Sequence, residues 1–134
     1  MDIDTIMDML DWNNSPEIQA KGVESAKDIK SINVFLQPVD KKHNKNVWDN
    51  CAEILCKRKD DELNPYLINL LEWTEDLTWP GAMSVFDRLI SYNDDISFEL
   101  AINRCIKKAE MLEDNIWLKT LIEIKTRRDN RKKA

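Results

Sequence analysis

The sequence predicts an all-α protein, and three observations carry that prediction. Its 134 residues include only 2 Gly and 4 Pro, whereas an all-β protein needs many turn residues. Leu, Ile, Lys and Glu are abundant. Apolar residues recur at intervals of three and four, the spacing that gives a helix one apolar face. We therefore expect a single domain over residues 1–134, built from about seven antiparallel helices with short connections.

The N-terminal part of the chain is predicted to be a helical hairpin. A helix over residues 2–11 ends at an Asn-Asn-Ser-Pro break, where Ser15 is suited to the N-cap and Pro16 to the first position of the next helix. In that second helix Gly22 and Ala26 are small, which favours a close approach to a neighbouring helix. Residues 31–39 are expected to form a short helical turn or an extended connector. Residues 40–46 should be a polar loop in which the only histidine, His43, is solvated.

Five further amphipathic segments follow. Residues 46–59 carry one apolar stripe, and the stripe over residues 63–71 has Pro65 in its first turn. Pro80 is predicted to begin the next helix, which a Tyr-Asn-Asp-Asp run ends. A helix over residues 96–112 and a last helix, capped by Asp114 or Asn115, complete the set. Consecutive helix pairs of this size are the unit of helical solenoids, so we expect a HEAT-like stack, with a helical bundle as the alternative.

Composition excludes several classes of protein. The three cysteines, Cys51, Cys56 and Cys105, form no CxxC pair, which argues against a disulfide framework or a closed zinc site. Cys51 and Cys105 are expected to be small buried apolar residues. The N-terminus is acidic where a signal peptide is basic, and no apolar stretch approaches the ~18–20 residues of a membrane span. The interpretation is a cytoplasmic protein with no membrane contact, no metal and no cofactor.

The net charge of −5 hides an asymmetry. Residues 125–134 carry six basic residues and one acid, whereas the other 124 residues carry 14 basic and 24 acidic ones. An acidic body repels nucleic acid and attracts basic protein surfaces. The basic C-terminal tail is the one segment suited to RNA, although basic residues also stabilise the C-terminal end of a helix.

The most distinctive segment is the corner over residues 70–82, Leu-Leu-Glu-Trp-Thr-Glu-Asp-Leu-Thr-Trp-Pro-Gly-Ala. Pro80 and Gly81 would set the start of the following helix, and the two tryptophans would fill the corner between helices. The same segment could also be a recognition surface, because tryptophan is enriched at binding hot spots and carboxylates suit a basic partner. The two interpretations are compatible.

This corner resembles a Leu-Leu-x-Trp…Asp-x-x-Trp-Pro-Gly-Ala signature of a small family of bacterial helical-repeat domains of unknown function. Trp73, Asp76, Trp79, Pro80 and Gly81 carry the resemblance, which mainly covers residues 64–89 and leaves the first 45 residues outside. It implies a compact stack of HEAT-like helix pairs. Small, acidic, helical proteins are also similar in type to the immunity proteins that accompany polymorphic bacterial toxins.

The sequence contains no constellation that points to catalysis. It has no Gly-rich phosphate loop and no HExxH motif, and its paired carboxylates fall at turns. We therefore expect a non-catalytic module, monomeric or weakly homodimeric, that binds a basic protein such as a cognate toxin. The alternative is an RNA-associated protein acting through its basic tail. The residues expected to contact the partner are the acidic and aromatic ones at two turns: Glu72, Trp73, Glu75, Asp76, Trp79, Asp94 and Asp95.

Overall fold

A computed structural model of the chain describes residues 2–38 and 44–133, and these residues form helices and turns with no β-strand. The all-α prediction is therefore confirmed. The predicted loop around His43 lies largely outside the described residues. The α-helices are, in order, α1 Ile3–Met9, α2 Pro16–Ala26, α3 Trp48–Cys56, α4 Asp60–Leu63, α5 Leu67–Trp73, α6 Ala82–Ser91, α7 Asp95–Met111 and α8 Asn115–Lys133.

The N-terminal hairpin forms where the sequence predicts it. Ser15 caps α2, since its hydroxyl oxygen accepts from the Ile18 amide at 3.3 Å, and Pro16 is the first helical residue. Gly22 permits the close packing of α2 on α1, because a Cβ there would lie 2.9 Å from the Cβ of Met9. Ile32–Phe35 forms a short 3-10 helix after α2, one of the two forms expected for that segment.

Pro65 divides the helix that was predicted over residues 63–71. The backbone instead forms α4, a 3-10 turn over Asn64–Tyr66 and then α5. Proline lacks the amide hydrogen of an α-helical hydrogen bond, and its ring clashes with the carbonyl four residues earlier. The tighter turn accommodates it, and the apolar stripe continues with Leu67, Leu70 and Leu71 buried.

Helix α6 begins two residues after Pro80, which corrects the predicted start. Gly81 is the N-cap and adopts a left-handed backbone with φ of 80°, a conformation that glycine takes at little cost. It also packs against α3, since a Cβ at Gly81 would lie 2.6 Å from that of Ala52. Gly81 therefore permits a close approach between the start of α6 and α3.

The basic C-terminal segment does not extend beyond the fold, because it forms the last turns of α8. Asp114 caps this helix by accepting from the Trp117 amide at 3.0 Å. Arg128, inside the basic segment, is only 3% exposed. Its guanidinium donates to the carbonyl oxygens of Leu89 at 2.8 Å and Tyr92 at 2.6 Å, and it lies 3.7 Å from the Phe98 ring centroid. The sequence interpretation treated these cations as a solvated tail, and for Arg128 that was wrong.

Consecutive helices pack against each other as hairpins: α1 with α2, α5 with α6, and α7 with α8. Successive hairpins α5–α6 and α7–α8 contact each other through their first helices, α5 with α7, and through their second helices, α6 with α8. On the other side α3 contacts α6, and α2 contacts α3. Cys51 and Cys105 are buried in the shared core, as predicted. Within the described part of the chain, no helix combines the length and the apolar character needed to cross a bilayer.

Candidate protein-binding surface

The corner between α5 and α6 is organised around three tryptophans. Trp73 is fully buried, and its indole N–H donates to the Pro80 carbonyl at 3.0 Å. Trp48 from α3 meets both other rings edge to face, with centroid distances of 6.2 Å to Trp73 and 5.7 Å to Trp79. Trp73 therefore belongs to the core and cannot be a partner anchor, which corrects the sequence prediction. Trp79 is only partly buried and keeps an accessible portion.

The acids of this corner are partly engaged by the protein itself. Glu72 forms an ion pair with Lys108 of α7 at 2.6 Å. Burial raises the pKa of the neighbouring Glu75, an effect that Lys108 opposes and Glu72 reinforces. Asp76 accepts from the Thr78 hydroxyl at 2.6 Å and from the Thr78 amide at 2.9 Å, and these bonds lower its pKa. The corner offers a partner less free negative charge than its sequence suggests.

Asp94 and Asp95 are exposed at the start of α7. Asp94 caps the helix by accepting from the Ser97 amide at 3.2 Å and the Ser97 hydroxyl at 2.9 Å, and these bonds lower its pKa. Asp95 is paired with Arg128 at 2.9 Å and Lys132 at 3.1 Å. The hydrogen bond from Lys132 is the largest cause that lowers the pKa of Asp95. The charge of Asp95 is thus largely balanced by α8.

The seven predicted contact residues do not form one site. Glu72 and its neighbours lie near Lys108, in the last turn of α7, whereas Asp94 and Asp95 lie at its first turn. Asp95 and Lys108 are 13 positions apart, about 20 Å along a helix at 1.5 Å per residue. The structure therefore divides the predicted surface into two groups at opposite ends of α7.

A shallow acidic cleft beside Asp94 was not predicted. It has a volume of about 680 Å³ and is lined by Asp60, Asp61, Asn64, Pro65, Tyr92, Asn93, Asp94 and Ser97. Asp60 is itself bound by the Arg88 guanidinium and accepts from the Asn93 amide at 3.1 Å. The cleft lies between α4 with the 3-10 turn at Pro65 on one side and the α6–α7 turn with the start of α7 on the other, where the Asn64 amide group donates to the Tyr92 hydroxyl at 2.6 Å. Asp94 is among the predicted contact residues, but the sequence does not predict the cleft, since no local pattern joins positions 60 and 94.

The most exposed tryptophan of the chain is also one that the sequence interpretation passed over. Trp12, in the α1–α2 turn, is 46% exposed, whereas Trp48, Trp73 and Trp117 are buried. The sequence around Trp12 does indicate that this side chain is exposed. Trp12 follows the apolar stripe of α1 and directly precedes the Asn-Asn-Ser-Pro break, so it lies in a turn rather than on a core-facing stripe.

Together the fold and these surfaces define an all-α domain of stacked helical hairpins with carboxylate-rich exposed turns. Among the residues that the structure describes, no group of three or more His, Cys, Asp or Glu side chains is arranged to hold a metal ion. The chain belongs to the family described as a domain of unknown function, DUF5071, whose model matches residues 36–133. No curated protein and no solved structure matches the chain. The matched range includes the tryptophan corner and excludes the α1–α2 hairpin.

Proposed function

We propose that this chain is a non-catalytic protein-binding module, and most concretely an immunity protein that binds and neutralises a basic cognate toxin. The distribution of charge is the observation that supports the proposal. Outside residues 125–134 the acids exceed the basic residues by ten. A carboxylate-rich surface of this kind can cover the basic substrate site of a toxin and speed the encounter with it.

The basic end of α8 supports the alternative function less well than its sequence suggests. Its cations are extensively paired with acids of the chain: Lys125 with Glu99 at 3.0 Å, Arg127 with Glu123 at 2.8 Å, and Arg128 and Lys132 with Asp95. Paired cations release fewer counterions on binding phosphate, so they contribute less to nucleic-acid affinity. An RNA-associated role would depend mainly on Arg131 and Lys133.

The packing of the helices supports the finer proposal of a HEAT-like stack. In helical repeats, each hairpin buries its apolar stripe on the next one. The hairpins α5–α6 and α7–α8 follow this rule, with first helix on first helix and second on second. We propose that the resemblance of residues 70–82 to a helical-repeat signature reflects the same arrangement.

Affinity capture tests the function. The tagged full chain is exposed to a lysate of the native host, and separately to the purified product of the neighbouring gene, at about 50 mM and 500 mM salt. We expect one basic protein in stoichiometric amount at low salt and much less at high salt, because salt screens exposed charges. Capture that is insensitive to salt, or capture of no basic protein, would refute the proposal.

The control for RNA binding uses substitutions instead of a truncation. Deleting the basic segment would also remove buried Arg128 and expose the end of α6, so a loss of binding would be ambiguous. Substituting Arg131→Gln together with Lys133→Gln removes exposed charge and leaves Arg128 in place. If the chain retains only RNA, and this variant loses it, the alternative function replaces the first.

A further inference from the structure

We propose that the tip of the α1–α2 hairpin is the surface on which the basic partner docks. Trp12 and Ile18 provide its apolar contact, and the carboxylates of Asp8, Asp11 and Glu17 provide its charge. These five residues are called the hairpin tip below. The class of partner rests on the proposed function, whereas the location rests on three features of the hairpin itself.

The first feature is exposed apolar area. Trp12 is 46% exposed and Ile18 is 43% exposed. Ile18 lies one helical turn before Gly22, on the side of α2 that packs against α1, so both side chains belong to the same end of the hairpin. Tryptophan is the residue type most enriched among side chains that dominate binding energy. An indole face also attracts lysine and arginine through cation–π contacts.

The second feature is a concentration of carboxylates. Residues 1–20 contain five acids, Asp2, Asp4, Asp8, Asp11 and Glu17, and no lysine or arginine. Asp8 is exposed on α1, and Asp11, three positions later, is partly exposed just after the end of the helix. In the described part of the chain, neither they nor Glu17 form an ion pair. Glu72 and Asp95, by contrast, are already matched by cations of the protein.

The third feature is a rigid backbone beneath an exposed side chain. The Trp12 amide donates to the Asn46 carbonyl at 3.0 Å, and the Trp12 carbonyl accepts from the Gln19 amide group at 3.3 Å. Asn50 of α3 donates to the Leu10 carbonyl at 2.8 Å and to the Gln19 side-chain oxygen at 2.9 Å. The turn is therefore held in place before any partner arrives, which lowers the ordering cost of binding.

The partner that fits this surface is a folded basic protein with an apolar spot among its lysines and arginines. Nucleic acid is repelled by the five acids of residues 1–20, so it fits the tip poorly. The hairpin precedes the range matched by the family model. The surface is therefore carried by a part of the chain that the family model does not describe.

The first arm of the test locates cation binding with a defined probe. The ¹⁵N-labelled full chain is titrated with an amidated hexa-arginine peptide at about 20 mM salt, and amide and indole N–H shifts are followed by NMR. We expect the largest shifts at the Trp12 indole and the amides of the hairpin tip. Shifts centred on the cleft of Asp60 and Asp94, or on Trp79, would overturn the location.

The second arm compares two charge-matched variants. The double variant Asp8→Asn, Asp11→Asn should weaken peptide binding about fivefold, as expected from losing two exposed ion pairs. The control, Asp61→Asn with Asp87→Asn, removes the same charge from exposed positions elsewhere and should leave the affinity nearly unchanged. Equal weakening by both variants would show that only net charge matters and would overturn the location.

The third arm separates this inference from the proposed function. The basic protein obtained by affinity capture is bound to Trp12→Ala and, as a control, to Met83→Ala, another half-exposed apolar position. We expect Trp12→Ala to lose at least about tenfold in affinity and Met83→Ala to lose little. If both bind like the wild type, the hairpin tip is not the site and the protein-binding function stands. If no basic protein is captured, the proposed function itself fails.

Discussion

Replacing Arg128 with alanine removes the side chain that joins the C-terminal helix to the end of α6. The guanidinium donates to the carbonyls of Leu89 and Tyr92 and to the carboxylate of Asp95, at 2.8, 2.6 and 2.9 Å. It also lies against the Phe98 ring, so the substitution removes a charged donor from two buried carbonyl groups and opens space beside an aromatic ring. A hydrogen bond from a charged donor contributes about 1.5–3 kcal/mol, so losing the two bonds to the buried carbonyl groups should cost about 3–5 kcal/mol.

Urea unfolding followed by helical circular dichroism measures this loss. With an m-value of about 1.5 kcal/mol per M for a small domain, the midpoint should fall by about 2–3 M. Arg128→Lys keeps the charge but not the planar fork of donors. Its urea midpoint should therefore lie between those of Arg128→Ala and the wild type. Arg104→Ala, an exposed arginine on α7, should change the free energy of unfolding by less than about 0.5 kcal/mol. A loss below about 1 kcal/mol in Arg128→Ala would refute the structural role of this residue.

Three further predictions follow from local geometry. Gly81→Ala should lower the free energy of unfolding by about 2–4 kcal/mol, because it combines a positive φ with a Cβ only 2.6 Å from that of Ala52. The pKa of Asp95 is lowered in the folded state, so its stabilisation is complete above the unfolded value of about 4 and disappears as pH falls through the folded value. Asp95→Asn should therefore flatten the acid dependence of unfolding below about pH 5. Burial raises the pKa of Cys56 to about 11 and of Cys105 to about 12, so at pH 8 both thiols should react with Ellman's reagent at least about a hundredfold more slowly than a free cysteine.

Each of these predictions has a matched control. Ser84→Ala, at an exposed position of the same helix as Gly81, should unfold like the wild type. Glu110→Gln, an exposed carboxyl on α7 with no ion pair in the described residues, should keep the wild-type acid dependence. For the cysteines, denaturant should make all thiols react rapidly. A wild-type acid dependence in Asp95→Asn, a wild-type midpoint in Gly81→Ala, or a fast native thiol reaction would each contradict the corresponding reasoning.

Features that depend on neighbours in sequence could be predicted. The apolar stripes located the helices, and the side chains of Ser15 and Asp114 cap helices where the sequence placed them. Gly22 also fits its predicted role in close packing. These predictions succeed because capping and helical periodicity involve residues within about one or two turns of each other.

Features that depend on distant contacts could not be predicted. Trp73 and Trp12 both stand next to acids in the sequence, yet one is buried and the other is half exposed. One cause of the difference is Trp48 of α3, which lies 25 positions before Trp73 in the sequence and packs against its ring. Arg128 is similar, since its carbonyl acceptors lie 36 and 39 residues away. The sequence therefore shows where basic and aromatic residues are concentrated. Which of them are exposed to a partner depends on contacts with residues that are distant in the sequence.

The separation between the hairpin and α8 determines what charge a partner meets. The contacts run from α2 to α3, from α3 to α6 and from α6 to α8, so two helices, each spaced about 8–10 Å from its neighbour, lie between α2 and α8 along this path. Exposed charges are screened beyond about 8 Å at physiological ionic strength. The basic end of α8 therefore cannot neutralise the field of the acids at the hairpin. A partner approaching that end meets five acids and no lysine or arginine within residues 1–20, a higher density of negative charge than the net −5 of the whole chain implies.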